Sequence, residues 1–228
     1  WYKVGAKDDP EGRSGFAHMF EHLMFKATRN LPPETFDRLT EDVGGTNNAS
    51  TGLDVTNYFE TVPAQHLERM LFAESERMGS LVVDEASFES ERDVVKEEFR
   101  LRVLSTPYGR FQRLHSQAFI YQDSPYRRPG IGSIEELEAS SLEDVRRFHA
   151  TYYRPYNAVL IVAGNFDDAQ LDAWVDQYFA PLANPGREVP RHAVAEPEQT
   201  APKAADYYAP NVPLPAVVAA WDLPAWGH

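Results

Sequence analysis

Gly15-Phe16-Ala17-His18-Met19-Phe20-Glu21-His22-Leu23-Met24-Phe25 is the stretch that decides how this chain is read. Phe16, Phe20, Leu23 and Ala27 recur at helical spacing, which predicts a helix from an N-cap at Ser14 to about Ala27. His18 and His22 stand at i and i+4, so both imidazoles leave one helix face and can meet a single ion. Neutral imidazole is a good zinc ligand, and two His plus one carboxylate form a zinc set that keeps a position open. Glu21 directly precedes the second His. It would stand beside such an ion without binding it, which is where a general base for an attacking water belongs. Two His on an otherwise apolar helix are costly to bury without partners, which argues against a chance pair.

A third ligand is required, and the acidic stretch from Glu85 to Arg100 offers several. Glu91 and Glu98 are two helical turns apart and share a stripe with Val94 and Leu101, so they are carboxylates on a partly apolar face. Glu85, Glu89, Asp93 and Glu97 read as a solvated face. Spacing alone leaves Glu97 and Glu98 open as alternatives.

Outward from these helices the pattern is α+β. Trp1–Gly5 reads as the end of a strand, and Lys7–Arg13 as a polar loop. Pro33 opens a second helix that ends at Gly44-Gly45. Residues 46–51 and 55–62 alternate around Gly52-Leu53-Asp54 as a β-hairpin. Helices are expected over about 64–80, 85–104, 109–121, 141–152 and 167–179. Residues 158–163 read as a buried strand, 181–202 as a proline-rich surface linker, and 216–221 as a last strand stopping at Pro224.

Composition narrows the function classes. The 228 residues carry a net charge of −13, which argues against a nucleic-acid partner and against docking on anionic membranes. No cysteine is present, so thiolate nucleophiles, disulfides and Cys-based metal sites are excluded. The apolar runs are strand-sized, and no membrane span is expected. Trp1 is not an initiator Met, so the natural N-terminus is expected to lie upstream.

The inverted motif His18-x-x-Glu21-His22, followed at a distance by Glu91-Arg92-Asp93-Val94-Val95-Lys96-Glu97-Glu98, resembles the M16 (pitrilysin/insulinase/mitochondrial processing peptidase) zinc peptidases. The likeness continues through Gly44-Gly45-Thr46-Asn47-Asn48-Ala49-Ser50-Thr51, Asp54-Val55-Thr56-Asn57-Tyr58, Pro107-Tyr108-Gly109 and the block Phe148–Gly164. It covers essentially the whole chain and is strongest toward the bacterial, processing-peptidase-like branch. The resemblance implies an N-terminal M16 half with a mixed, largely antiparallel sheet packed against helices, as in LuxS/MPP-like metallohydrolases. Residues 1–135 would form its zinc-binding catalytic subregion and 136–228 a second subregion of the same half.

By the same resemblance, one Zn2+ is held by His18, His22 and Glu98, with Glu21 as catalytic base. Glu91 is a second carboxylate supporting the metal site, and Asn48, Ala49 and Ser50 lie on the strand that holds an extended peptide. Such peptide holding would be β-augmentation, in which main-chain pairing gives affinity without reading side chains. The partners implied are a peptide substrate and a homologous C-terminal half or partner subunit, which would supply an Arg and a Tyr to the reaction. Arg154-Pro155-Tyr156 reads as structural rather than as a substitute for them. The compartment stays open between bacterial periplasm and cytoplasm. The alternative function is a non-catalytic, processing-peptidase-like scaffold or peptide-presenting subunit.

The remaining features take plainer readings. His66, His115, His149 and His192 read as surface or capping residues, and Met70 and Met78 with Leu67 and Leu71 as core. The loop Tyr126-Arg127-Arg128-Pro129-Gly130-Ile131 is expected either to touch substrate or the partner half, or to pack as a connection. Surplus acid on the chamber wall would favour basic peptides.

Overall fold

The helix carrying the two histidines, α1 (Phe16–Leu23), is embedded on all but one edge in the computed structural model. Phe16, Ala17, Met19, Phe20 and Leu23 are each 1% exposed or less, while His18, Glu21 and His22 form a half-buried edge. The structure describes residues 1–186, 188–192 and 196–221.

The start of α1 differs from expectation. Gly15, not Ser14, occupies the cap position, at a left-handed φ of 93°. A Cβ on Gly15 would fall 2.9 Å from the Cα of Gly132, itself at φ 83°, so the two glycines let the 130s loop close against the helix. The Ser14 N–H is taken by Glu136 at 2.6 Å. The capping carboxylate comes from outside the local sequence: Asp9 accepts from the Gly15 N–H at 2.6 Å and the Ala17 N–H at 2.8 Å. Burial pushes the Asp9 carboxyl up to about 7, against the pull of those two N–H groups. Arg128 fixes the same loop by donating to the carbonyls of Asp9 (2.6 Å) and Lys7 (2.8 Å). The loop containing Arg128 is therefore a packed connection. Replacing Asp9 with Ala is expected to cost about 1–2 kcal/mol, read as a lower urea midpoint, because two orphan helix donors lose their acceptor.

Helix α2 (Thr35–Glu41) starts two residues later than Pro33 suggests. It leads into strands β1 (Thr46–Thr51) and β2 (Thr56–Thr61). These pair antiparallel, with Thr46 opposite Thr61 and Thr51 opposite Thr56. Tyr2 bridges Thr56 on one side and Ala158 on the other, so the opening residues extend this small sheet by single bridges. Helices α3 (Leu67–Gly79) and α4 (Glu85–Phe99) follow, and α4 continues as a wide turn over Arg100–Leu104. A second wide turn, Phe111–His115, runs into α5 (Ser116–Ile120). Then come α6 (Ile134–Glu138), α7 (Leu142–Tyr152) and α8 (Asp168–Phe179). Ser141 and Asp167 cap α7 and α8 as their sequences suggest, accepting from Asp144 and Gln170 N–H groups.

The main core joins α1 to Tyr2, Val4, Tyr58, Phe88, Val95, Phe148 and Tyr153. Met70 and Leu71 are buried, as expected. Arg77 is fully buried, caged by the rings of Phe25, Phe36 and Tyr58 and paired with Glu60 and Glu74. His149 is not a surface or capping residue. Its ring stacks on Tyr153, 5.5 Å between centroids, and burial lowers its pKa to about 4. Arg154 is also buried, and it donates to the Pro185 carbonyl.

Residues 158–163 do not form a buried strand. Only the start pairs, through Ala158 with Tyr2 and Val159 with Trp1, and Ile161 is 65% exposed. Among the described residues no bridge or backbone hydrogen bond pairs the rest of that apolar run. Residues 216–221 likewise make no strand, with Val217 95% exposed, and Pro224 lies outside the described residues. The 181–202 segment does more than link: Val189 is buried, and Arg191 reaches the Lys3 carbonyl and Asn157 Oδ1.

Candidate metal centre

Helices α1 and α4 pack against each other, and their facing edges bring three ligand-type side chains together. One atom each from His18, His22 and Glu98 lie within 4.8 Å of one another. His18 Nε2 stands 3.5 Å and His22 Nε2 3.3 Å from the same Glu98 oxygen, Oε2. Two ligands about 2.0–2.1 Å from a tetrahedral ion stand roughly 3.3–3.4 Å apart, so the observed spacings and the N, N, O donor set fit zinc. The buried His18 Nδ1 has no hydrogen-bond partner among the described residues.

Each side of the cluster is held by a further charge. His22 Nδ1 faces Glu91 Oε2 at 3.5 Å, and Lys26 Nζ holds the other Glu91 oxygen at 2.8 Å. Arg102 NH1 holds Glu98 Oε1 at 3.0 Å, leaving Oε2 toward the histidines. Carboxylates behind a ligating imidazole fix its ring and tautomer. Arg102 follows Glu98 by four residues, and that spacing could have flagged it, whereas Lys26 meets Glu91 across two helices, which no local spacing signals. Glu97, by contrast, is 58% exposed and pairs with Arg100. Glu91 and Glu98 do not share a stripe with Val94 and Leu101, which are 45% and 60% exposed; the buried face of α4 is Phe88, Glu91, Val95 and Phe99.

The two histidines sit in opposite electrostatic settings. Burial lowers His18 to about 4, with only partial compensation from Glu98. Burial also disfavours charge on His22, but Glu91 and Glu98 override it and raise the imidazole to about 9. Contact with His22 lowers Glu98, and Glu91 is lowered too, because His22 and Lys26 outweigh its burial. At pH 7 the metal-free site therefore holds one displaceable proton, on His22. Zinc binding is expected to release about one proton at pH 7 and to strengthen about tenfold per pH unit up to about pH 9. Titration calorimetry in buffers of different ionisation enthalpy measures that proton.

Glu21 shares the half-buried edge of α1, and the Thr51 hydroxyl at the end of β1 donates to its Oε2 at 2.5 Å. These groups line one cleft of about 490 Å³ together with Ala49 and Ser50 of β1. Gly130 and Ile131 also line it, so the 126–131 loop both packs and reaches the site. Among the described residues β1 pairs only with β2, so its other edge is free. The Ala49 N–H is met there by Asn48 Oδ1, at 2.8 Å, rather than by another strand.

Comparison with known proteins places the chain. The sequence profile described as Insulinase (Peptidase family M16) matches residues 1–129, and one described as Peptidase M16 inactive domain matches residues 140–228. The zinc protease PqqE of Helicobacter pylori is 35% identical over all of this chain and 51% of its own length. The crystal structure of a protease from Helicobacter pylori superposes with a TM-score of 0.80 at 37% identity, over 86% of this chain and 48% of that one. The ferredoxin protease FusC, solved in complex with Arabidopsis ferredoxin, superposes with a TM-score of 0.75 at 28% identity, over 86% of this chain and 22% of that one. The chain thus spans about half the length of the curated relative it matches over its whole extent.

Proposed function

Since the chain belongs to the insulinase (M16) family of peptidases, we propose that it is the zinc-bearing half of an endopeptidase that cleaves peptides held in extended form. The observation that carries this reading is the convergence of His18, His22 and Glu98 from two helices, with Glu21 on the same cleft wall. His18, His22 and Glu98 would hold a single zinc ion, with Glu91 positioning His22 and Arg102 positioning Glu98. Zinc bound there would supply Lewis-acid polarisation of the scissile carbonyl and a lower pKa for water.

The chain's own residues do the rest. Glu21 takes the proton from the attacking water and later delivers it to the leaving amine nitrogen. The Thr51 hydroxyl keeps that carboxylate aimed along the cleft. The free edge of β1 at Asn48, Ala49 and Ser50 accepts the substrate backbone as an added strand, so affinity comes from main-chain pairing. A bound peptide takes over the Ala49 N–H from the Asn48 side chain.

Residues 1–135 form the catalytic subregion of this half and 136–228 its second subregion. A homologous second half, on the same polypeptide or a partner subunit, completes the chamber. No helix among the described residues is long and apolar enough to cross a membrane. The test is zinc content and peptide hydrolysis, measured before and after adding the homologous half. Stoichiometric zinc, with weak hydrolysis that rises on assembly, is expected. Absence of zinc would favour a non-catalytic scaffold, and full activity of the isolated chain would remove the need for a second half.

A further inference from the structure

The cleft is lined by two carboxylates balanced by two guanidinium groups, not by the surplus acid that a net charge of −13 suggests. Its titratable lining residues are His18, Glu21, His22, Glu98, Arg102 and Arg113. Both carboxylates are engaged: Glu98 by the two histidines and Arg102, and Glu21 by Thr51.

Arg102 is committed to Glu98, whereas Arg113 is paired with no carboxylate among the described residues. It is exposed, lies on the wide turn Phe111–His115, and makes no ion pair among the described residues. Gln112 and Gln117 line the same cleft and add amide donors.

We infer that Arg113 is a specificity-determining residue that receives an acidic side chain of the substrate, close to the bond that is cut. The inference rests on the peptidase reading and deepens it by naming the substrate class. A guanidinium offers a planar pair of donors matched to a carboxylate. With the substrate backbone on β1, side chains that turn into the cleft meet Gln112, Arg113 and Gln117, which line it too. The cleft lies beside the ligand cluster, so the residue read by Arg113 falls within a position or two of the scissile bond. A basic residue there meets an unpaired like charge, which makes the choice a rejection as well as an attraction.

The test uses the zinc-loaded peptidase assembled with its second half. The substrates are peptides matched except for Glu, Ala or Lys scanned through the positions flanking the cut. At one position the Glu peptide is expected to exceed the Lys peptide in kcat/KM by about tenfold or more. Arg113→Glu is expected to reverse that order and Arg113→Gln to flatten it, with zinc stoichiometry unchanged in both. Arg113 is exposed and holds no ligand, so neither variant threatens the fold. Hydrolysis of all three peptides at equal rates, a wild-type preference for Lys, or a Glu preference that survives both substitutions overturns the inference while leaving the peptidase reading in place. Hydrolysis of none of the peptides by the zinc-loaded assembly overturns the peptidase reading and the inference with it.

Discussion

Glu21→Gln is expected to keep the fold and the zinc while lowering peptide hydrolysis by about 10²–10⁴-fold, the range of a lost general acid–base group. The argument is geometric. Glu21 lies on the same edge of α1 as His18 and His22 but is absent from the cluster of mutually close ligand atoms. It can therefore change chemistry without changing metal content. Gln is nearly the same size and still accepts from the Thr51 hydroxyl through its carbonyl oxygen, so the position stays packed. What is lost is the capacity to take a proton. Zinc content and kcat measured on one preparation separate these effects. Wild-type turnover by the variant would refute the base assignment, and loss of zinc would mean that Glu21 belongs to the ligand set.

Glu98→Ala is expected to weaken zinc binding by more than about 100-fold, beyond the range seen when only a supporting residue is removed. The substitution deletes the one oxygen that both histidines face and leaves Arg102 without its partner, 3.0 Å away in the native chain. Two imidazoles on one helix remain, too few to close the site. Glu97→Ala is the matched control, one residue away on the solvated side of α4, and is expected to leave zinc affinity unchanged. Competition against a chelator measures both. Equal losses in the two variants would contradict the geometry.

That control also marks where the sequence stops being informative. The histidine pair was legible because i and i+4 always share a helix face, whatever the helix packs against. The choice between Glu97 and Glu98 was not, because a one-residue step turns a side chain about 100° and only the packing of α4 on α1 fixes which way is inward. The apolar residues misled there: Val94 and Leu101 point to solvent, while Phe88 and Val95 are buried. The fold itself was readable in its helices and hairpin, where capping residues and alternation are local signals. Residues 158–163 depart from a buried strand because an apolar run states a need for a partner without supplying one. Asp9 was invisible for a related reason, since it caps α1 from a loop and no local spacing links it to Gly15 and Ala17. Arg113 gave no signal at all in sequence, because a single basic residue acquires meaning only from the wall it stands on.

The measurement that tests the central claim most directly is anomalous X-ray scattering at the zinc edge from crystals of the zinc-loaded protein. One peak about 2.0–2.2 Å from His18 Nε2, His22 Nε2 and a Glu98 carboxylate oxygen is predicted, with Glu21 outside bonding distance. A peak elsewhere, or none at that cluster, would contradict the assignment of this chain as the zinc-bearing half of a peptidase.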